Sequence, residues 1–441
     1  MIFFENIFDF LLTGPFILIF VVSGILTLLS RGIQFRCLSI VQKIFNNSLC
    51  SKKIFNNSLC SADTKNSQEL PPLSALAINV STTVGIGNIM GPIVALGYGG
   101  PGTLIGFLLG TLLGSATTFT EVFLSVFYKK QSKSETSGPM IYLETELGKP
   151  WAYLYAFFGS LLLVAWSMSQ SNTLGTLLTE KGISPILSGL LIVSSSFFIL
   201  VKGLDLISKV SNIMVPIMFI LYSAATLWII LCNTYKLPEI AILVFKNFLS
   251  PHTGAGALAG FGYATMIRWG FARAVQANEI GTGTSTFPHS ITSSSPANQA
   301  SLATIADYMN GFLCTLSSLT LLVCDVWKDP STVYDITIFN KILVSYYGSS
   351  GTILLFICAF LFAFGTILGN CYNGTQCFLY ITRNKWLYGY YIFTALFVFW
   401  GTISNVSFVW NIADYFVIPV AVPHIIGLLI IAWKKPSIFE L

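Results

Sequence analysis

Apolar residues run in blocks along the whole chain, parted by short polar stretches. Many blocks reach about 18 residues or more, the length at which a helix crosses the hydrocarbon core of a bilayer. The pattern predicts eleven spans, at roughly 10–30, 74–98, 103–128, 151–175, 184–201, 209–232, 257–275, 301–324, 351–381, 388–403 and 410–433. Two of these blocks are interrupted. One carries STTVGIGNIMGPIVALGYGGPG (81–102), and the other belongs to GAGALAGFGYATMIRWGFARAVQANEIGTGTS (254–285). Gly and Pro are the poorest helix formers, and an amide in hydrocarbon must find a partner.

The interruptions recur in register. With the first span set aside, ten remain as two groups of five, 74–232 and 257–433, and each group opens on its Gly-rich segment. Because five is odd, the groups enter the membrane from opposite sides, and paired broken helices at matching places point to a transporter site. The expected fold is an all-α polytopic membrane protein of about eleven helices. It has two inverted five-helix repeats, an additional N-terminal span (1–30), a polar loop (31–73) and a short tail (434–441). Pro92 is expected to start the second half of the first broken helix.

Composition agrees. Hydrophobic residues make up 54% and charged ones 9%, against about 25% charged in soluble domains, and no stretch is long enough for a soluble core. With the N-terminus outside and the C-terminus inside, the inner loops hold sixteen Lys and Arg and the outer loops five. That asymmetry fits a multi-pass protein of the plasma membrane, here a bacterial inner membrane. The first block lacks a basic leader and reads as a retained span. The nine Cys form no CxxC pair and read as buried hydrophobes. A literal repeat, KIFNNSLCS at 43–51 and 53–61, reads as a loop duplication without function.

The polar residues inside the blocks are the candidates for chemistry. Around the first break stand Ser81, Thr82, Thr83, Gly85, Gly87 and Asn88, which offer hydroxyls, backbone and one amide but no full charge. A half-helix N-terminus suits a carboxylate, and freed carbonyls with hydroxyls suit a bare Na⁺, so the set fits a small zwitterion with a co-bound cation. Hydroxyls in such helices also bond back to the preceding turn. Gln170, near Asn172, reads either as a binding residue or as interhelical glue. Thr366 sits beside Gly365 and Gly369, with Asn370 and Asn373 following. Tyr263 and Thr265 border the second break, and Glu121 reads as a packed or paired acid. Arg268 and Arg273 are placed at the inner face, where Glu279 could close a gate with one of them. No nucleophile–base grouping, P-loop or His-Glu-x-x-His occurs. The chain is therefore expected to be no enzyme, to use no resident cofactor or nucleic acid, and to draw on an ion gradient.

TVGIGNIMG (83–91), GGPG (99–102), TTFTEV (117–122), SGPMIY (137–142), ARAVQANEIGTGTS (272–285), FAFGTILGNCYNG (362–374) and WNIAD (410–414) resemble the alanine or glycine:cation symporters, also called sodium:alanine symporters. The resemblance implies the leucine-transporter-type fold and sodium-driven uptake of small neutral amino acids by what is expected to be a monomer. It implies that Thr83 to Asn88 bind substrate backbone, that Gln170 lies in the pocket, and that Tyr263 to Ile267 line its wall. It also implies that Thr366, with Thr83 and the Gly365 position, belongs to a sodium site. Three departures stand out: Ile86 and Gly365 where the family carries hydroxyls, and Asn370 where it carries tryptophan. They imply a larger or more polar substrate and put sodium in question. A proton- or other-cation-coupled carrier, or a channel or sensor on the same scaffold, is the alternative.

Overall fold

The computed structural model describes residues 2–50, 69–132, 135–249, 267–328 and 334–439. The described chain is helical, apart from loops and one isolated bridge that ties Leu70 to Thr292. The first helix, α1 (Ile2–Leu29), turns by 64° into α2 (Ile33–Cys50). Then come α3 (Pro72–Thr83), α4 (Gly87–Gly99), α5 (Thr103–Gln131), the short α6 (Met140–Leu147), α7 (Lys149–Thr179), α8 (Pro185–Val201) and α9 (Leu204–Cys232). The second half holds α10 (Leu237–Leu249), α11 (Ala272–Asn278), α12 (Thr286–His289), α13 (Pro296–Val323), α14 (Ile336–Tyr347), α15 (Ser349–Thr382), α16 (Leu387–Ile403) and α17 (Val406–Lys434).

Local chemistry sets several of these ends. Ser184 and Ser295 each precede a proline at the first helical position, and their hydroxyls accept the N–H of Leu187 and Asn298. A serine cap followed by proline is a strong helix start. Five helices are long and apolar enough to cross a membrane singly: α5, α7, α9, α15 and most of α17. The bent pairs α1–α2 and α3–α4 qualify together, and α8 and α16 are shorter apolar helices. α13 is as long as the others, but Asp307, Asn310 and its buried hydroxyls lower its hydropathy.

The faces turned outward are greasy. Ile213, Ile217 and Ile220 form one exposed stripe on α9, and Leu190, Leu191 and Phe198 form another on α8. Such surface is a liability in water and the natural contact for lipid. The inward packing centres on α7, which lies against α15, α16 and α17, while α13 packs along α5.

Three expectations change. The stretch expected as a loop from residue 31 begins as helix α2. Its Ile33 and Cys37 are buried against Ala116, Phe119 and Ala300, and the first KIFNNSLCS copy enters that helix while the second lies outside the described residues. The second half of the first broken helix starts at Gly87, and Pro92 lies inside it. The second break is only partly described. Tyr263 and Thr265 lie outside the described residues, and the described chain runs through a π-turn (Ile267–Phe271) into α11 before it breaks. Glu279 there takes a left-handed φ of 54°, with Gly281 and Gly283 at 77° and 75°. The Trp269 ring stacks on Tyr98, at the far end of α4, with centroids 4.7 Å apart. Arg273 thus belongs to the Tyr98 side of the molecule, opposite the Leu70 side where the sequence reading put it. The polar run ANEIGTGTS misled that reading because it looks like a loop, yet Asn278, Thr282 and Thr284 are all at most 3% exposed.

Candidate substrate cavity

The α3–α4 helix bends by 41° between Thr83 and Gly87. Ile86 caps α4 without a side-chain hydrogen bond; the Asn88 amide bonds the Gly85 carbonyl at 3.0 Å, and the Ile89 and Met90 amides bond the Ile86 carbonyl at 2.9 Å. One neighbouring amide finds a partner across the fold: the Ile86 N–H donates to Gln170 Oε1 on α7, at 2.9 Å. Gly85 keeps this meeting possible. A Cβ there would lie 2.5 Å from Thr366 Oγ1 and 3.0 Å from Gln170 Oε1.

A cavity of about 50 Å³ opens against this bend, room for roughly three or four water molecules. Of the residues expected at the site, Thr82, Thr83, Gly85, Gly87, Gln170 and Asn370 line it. Thr366, Arg273 and Glu279 line it too. Tyr263 lies outside the described residues, and Ile267 is described through its backbone alone, in the π-turn.

Asn88 is placed elsewhere. Its Nδ2 donates to the Asn310 side chain on α13, whose own amide donates to Asn278 Oδ1 at 2.8 Å and to the Ala277 carbonyl at 2.5 Å. Ser317 donates to the Asn88 carbonyl at 2.8 Å. Asn88 therefore joins both breaks through α13. The Ile86 side chain is likewise not a wall residue; it is fully buried among Ile89, Val84 and other apolar groups.

The hydroxyls divide their duties. Thr82 and Thr83 donate back along their own helix, to Ile78 O at 2.8 Å and Asn79 O at 3.1 Å. Thr366 instead donates across to the Ser81 carbonyl at 3.4 Å. A Cβ at Gly365 would sit 2.7 Å from Ser81 Oγ, so the Ser81 hydroxyl stands where a residue-365 side chain would begin. The lost hydroxyl at 365 has a neighbour in its place. Gly369 is needed for the same approach, since its Cβ would fall 1.9 Å from Thr82 Oγ1.

Over the cavity on the Tyr98 side lies an ion pair. Arg273 Nη2 is 3.7 Å from Asp414 Oδ2, with both side chains under 20% exposed. Gln276 bridges them, accepting from Arg273 and donating to Asp414, and the guanidinium lies 5.4 Å over the Trp269 ring. Arg273 thus pairs with Asp414. Glu279 instead takes the hydroxyl of Thr284.

Asp414, Trp410, Gln276 and Trp166 were not among the expected site residues, yet all line the cavity. Asp414 carried a legible signal: it is an acid inside an apolar run, the kind of residue that is functional by default in a membrane helix. Asn172, by contrast, is structural, donating to the Gly401 and Ser404 carbonyls at 2.8 and 2.9 Å.

The model of the sodium:alanine symporter family matches residues 2–438. The chain belongs to that family. Among its relatives, a sodium/alanine symporter of Methanococcus maripaludis is 28% identical over 384 residues, covering 84% of this chain and 83% of its own. A probable sodium/glutamine symporter of Bacillus subtilis is 26% identical over 380 residues, covering 84% of this chain and 78% of its own. The fold resembles that of MhsT, solved with L-phenylalanine: TM-score 0.60, 16% identity, 84% of this chain and 90% of that one. The chain is accordingly a multi-pass transport protein and not an enzyme.

Proposed function

We propose that the chain is a secondary active symporter that brings a small neutral amino acid, alanine- or glycine-like, into a bacterial cell together with sodium, by alternating access. The observation that carries the reading is the cavity at the α3–α4 bend. It joins helix-end backbone to the neutral side chains of Thr82, Gln170 and Thr366. The positive end of the α4 dipole, at Gly87, suits a substrate carboxylate. The Ser81 carbonyl and hydroxyl, with Thr366, gather oxygens for Na⁺ between α3 and α15. Arg273–Asp414 is the outer gate, closed here, and rocking of one helix group against the other exposes the cavity to each side in turn. The wider assignments stay part of this proposal: eleven spans, two inverted repeats of five helices, the termini outside and inside, and a monomer.

One observation favours a second reading of the cargo. Asn370 is fully buried, lines the cavity, and neither its Nδ2 nor its Oδ1 has a hydrogen-bond partner among the described residues. A free donor and acceptor side by side match a carboxamide or hydroxyl on the substrate side chain. Under this reading the cargo is a polar neutral amino acid such as serine or glutamine, and the relative named as a sodium/glutamine symporter supports it. Counterflow into proteoliposomes against alanine, glycine, serine, asparagine and glutamine decides between the two. Preference for the polar members, lost in Asn370→Ala, supports the second reading; tight use of alanine with rejection of the polar members removes it.

A further inference from the structure

A second polar centre lies beside the cavity, on the side of the second break. Glu121 of α5 and Asp307 of α13 are each 1% exposed, and Glu279, which also lines the cavity, is 6% exposed. The charges acting on Glu121 are those of Asp307 and Glu279, and the charge acting on Asp307 is that of Glu279; all are acids. His424 of α17, Tyr142 of α6, Tyr155 of α7 and Tyr308 of α13 face the same group.

None of these neighbours is a Lys or Arg. His424 Nδ1 lies 2.7 Å from the Gly281 carbonyl and its Nε2 lies 2.5 Å from the Tyr142 hydroxyl. A neutral ring with its proton on Nδ1 satisfies both contacts, with Glu121 Oε1 3.7 Å from Nδ1. Tyr155 donates to the Thr282 carbonyl at 2.5 Å, and Tyr308 donates to the Gln34 carbonyl at 2.9 Å. The Gly281 and Gly283 amides meet Glu121, and Thr284 meets Glu279. That leaves Glu121 Oε1 and both oxygens of Asp307 without a hydrogen-bond partner among the described residues, although Thr118 faces Asp307.

Buried charges are paired or neutralised, and carboxylates sharing a site cannot all be ionised together. Among the described residues no three His, Cys, Asp or Glu side chains converge as ligands for a metal ion. A proton needs only a single oxygen.

We propose that Glu121, Asp307 and Glu279 form a proton-carrying site, loaded and emptied in step with opening of the substrate cavity. The exchange is simple: a carboxylate takes a proton from water to become a carboxylic acid, and returns it to water later in the cycle. Glu279 makes the connection. It lines the cavity, its backbone holds the left-handed turn of the break, and its bond to Thr284 spans that turn. A movement that opens the break therefore changes what faces the carboxyl group. The coupling part of this inference rests on the symporter reading; the presence of the protons does not.

Two readouts separate the parts. Infrared spectroscopy of the purified protein at neutral pH is expected to show a protonated-carboxyl band that is reduced in Glu121→Gln and in Asp307→Asn, with Glu279→Gln as the further variant should either fail to fold. Absence of the band in the wild type, or a band unchanged in folded variants, overturns the site. In proteoliposomes, an imposed pH gradient is expected to change wild-type amino-acid uptake several-fold, and Asp307→Asn is expected to lose that response while retaining exchange. Uptake that ignores the gradient overturns the coupling. If the band behaves as expected but no amino acid moves under any gradient, the proton site stands and the symporter reading fails.

Discussion

Gln170 Oε1 accepts the Ile86 N–H at 2.9 Å, so a side chain of α7 pins the backbone at the bend between α3 and α4. The contact makes Gln170 both a wall of the cavity and a brace for it. Truncation to alanine leaves a buried donor unmet, at a cost of about 1–3 kcal/mol. Substrate affinity is expected to fall roughly 5- to 150-fold by that energy, with a measurable drop in thermal stability. Asn88→Ala is expected to behave differently: it loosens the Asn310 contact and lowers the melting temperature, yet changes affinity less than Gln170→Ala does. Calorimetric binding with melting curves on both variants checks this, and equal affinity losses would contradict it.

The Ser81–Gly365 arrangement gives a reciprocal test. Gly365→Ser alone drives a new side chain into the Ser81 hydroxyl 2.7 Å from its Cβ, an overpacking that costs about 1–3 kcal/mol. Ser81→Gly alone removes an oxygen from the same place. The double variant moves that oxygen from one helix to the other, and sodium dependence of uptake is expected to recover toward wild type. Recovery no better than in the worse single variant would show that the two positions do not share a role.

At the gate, Asp414→Asn leaves Arg273 without its carboxylate while keeping Gln276 in reach. The closed state is expected to lose stability. A cysteine at Ser169, inside the cavity wall, should then react several-fold faster with an impermeant maleimide added from the Tyr98 side. Unchanged labelling would mean that the pair does not guard the cavity.

A third contact responds to pH. On the far side, Lys435 Nζ lies 2.7 Å from Glu146 Oε1, and both meet the Tyr128 hydroxyl. Burial alone would raise the Glu146 pKa, but the bonds from Lys435 and Tyr128 outweigh it and hold the carboxyl below its usual value. Lys435 is pushed up, chiefly by its bond to Glu146. A depressed acid contributes stability above its unfolded pKa, about 4.3, and loses it as pH falls through the folded one; a raised base loses its share as pH rises through its own. The tie is therefore complete through neutrality. Lys435 is 41% exposed, so solvent screens the pair, and Lys435→Ala should cost under about 1 kcal/mol. Melting curves of wild type and variant are expected to differ by a constant small amount from pH 6 to 9 and to converge in acid.

The helices were legible because each apolar block is longer than any loop requires, and the first break was legible because Gly85 and Gly87 interrupt one of them. The turn at Glu279–Gly283 was harder to read for a physical reason. Its polar residues satisfy one another and α13 inside the protein, as Asn278 does with Asn310, so hydropathy counted buried structure as surface. Pairings such as Arg273 with Asp414 or Asn88 with Asn310 join residues more than a hundred positions apart, and no local pattern announces them. The meaning of Gly365 was likewise hidden until Ser81 was seen beside it.

The central claim is that a sodium gradient drives a neutral amino acid through the cavity at the α3–α4 bend. The direct measurement is uptake of labelled alanine, serine and glutamine into proteoliposomes, with an inward sodium gradient and with choline in its place. Accumulation above the outside concentration with sodium, abolished by choline and strongly reduced in Gln170→Ala, is the predicted result. Failure of every labelled amino acid to accumulate under sodium, proton or potassium gradients would contradict the account.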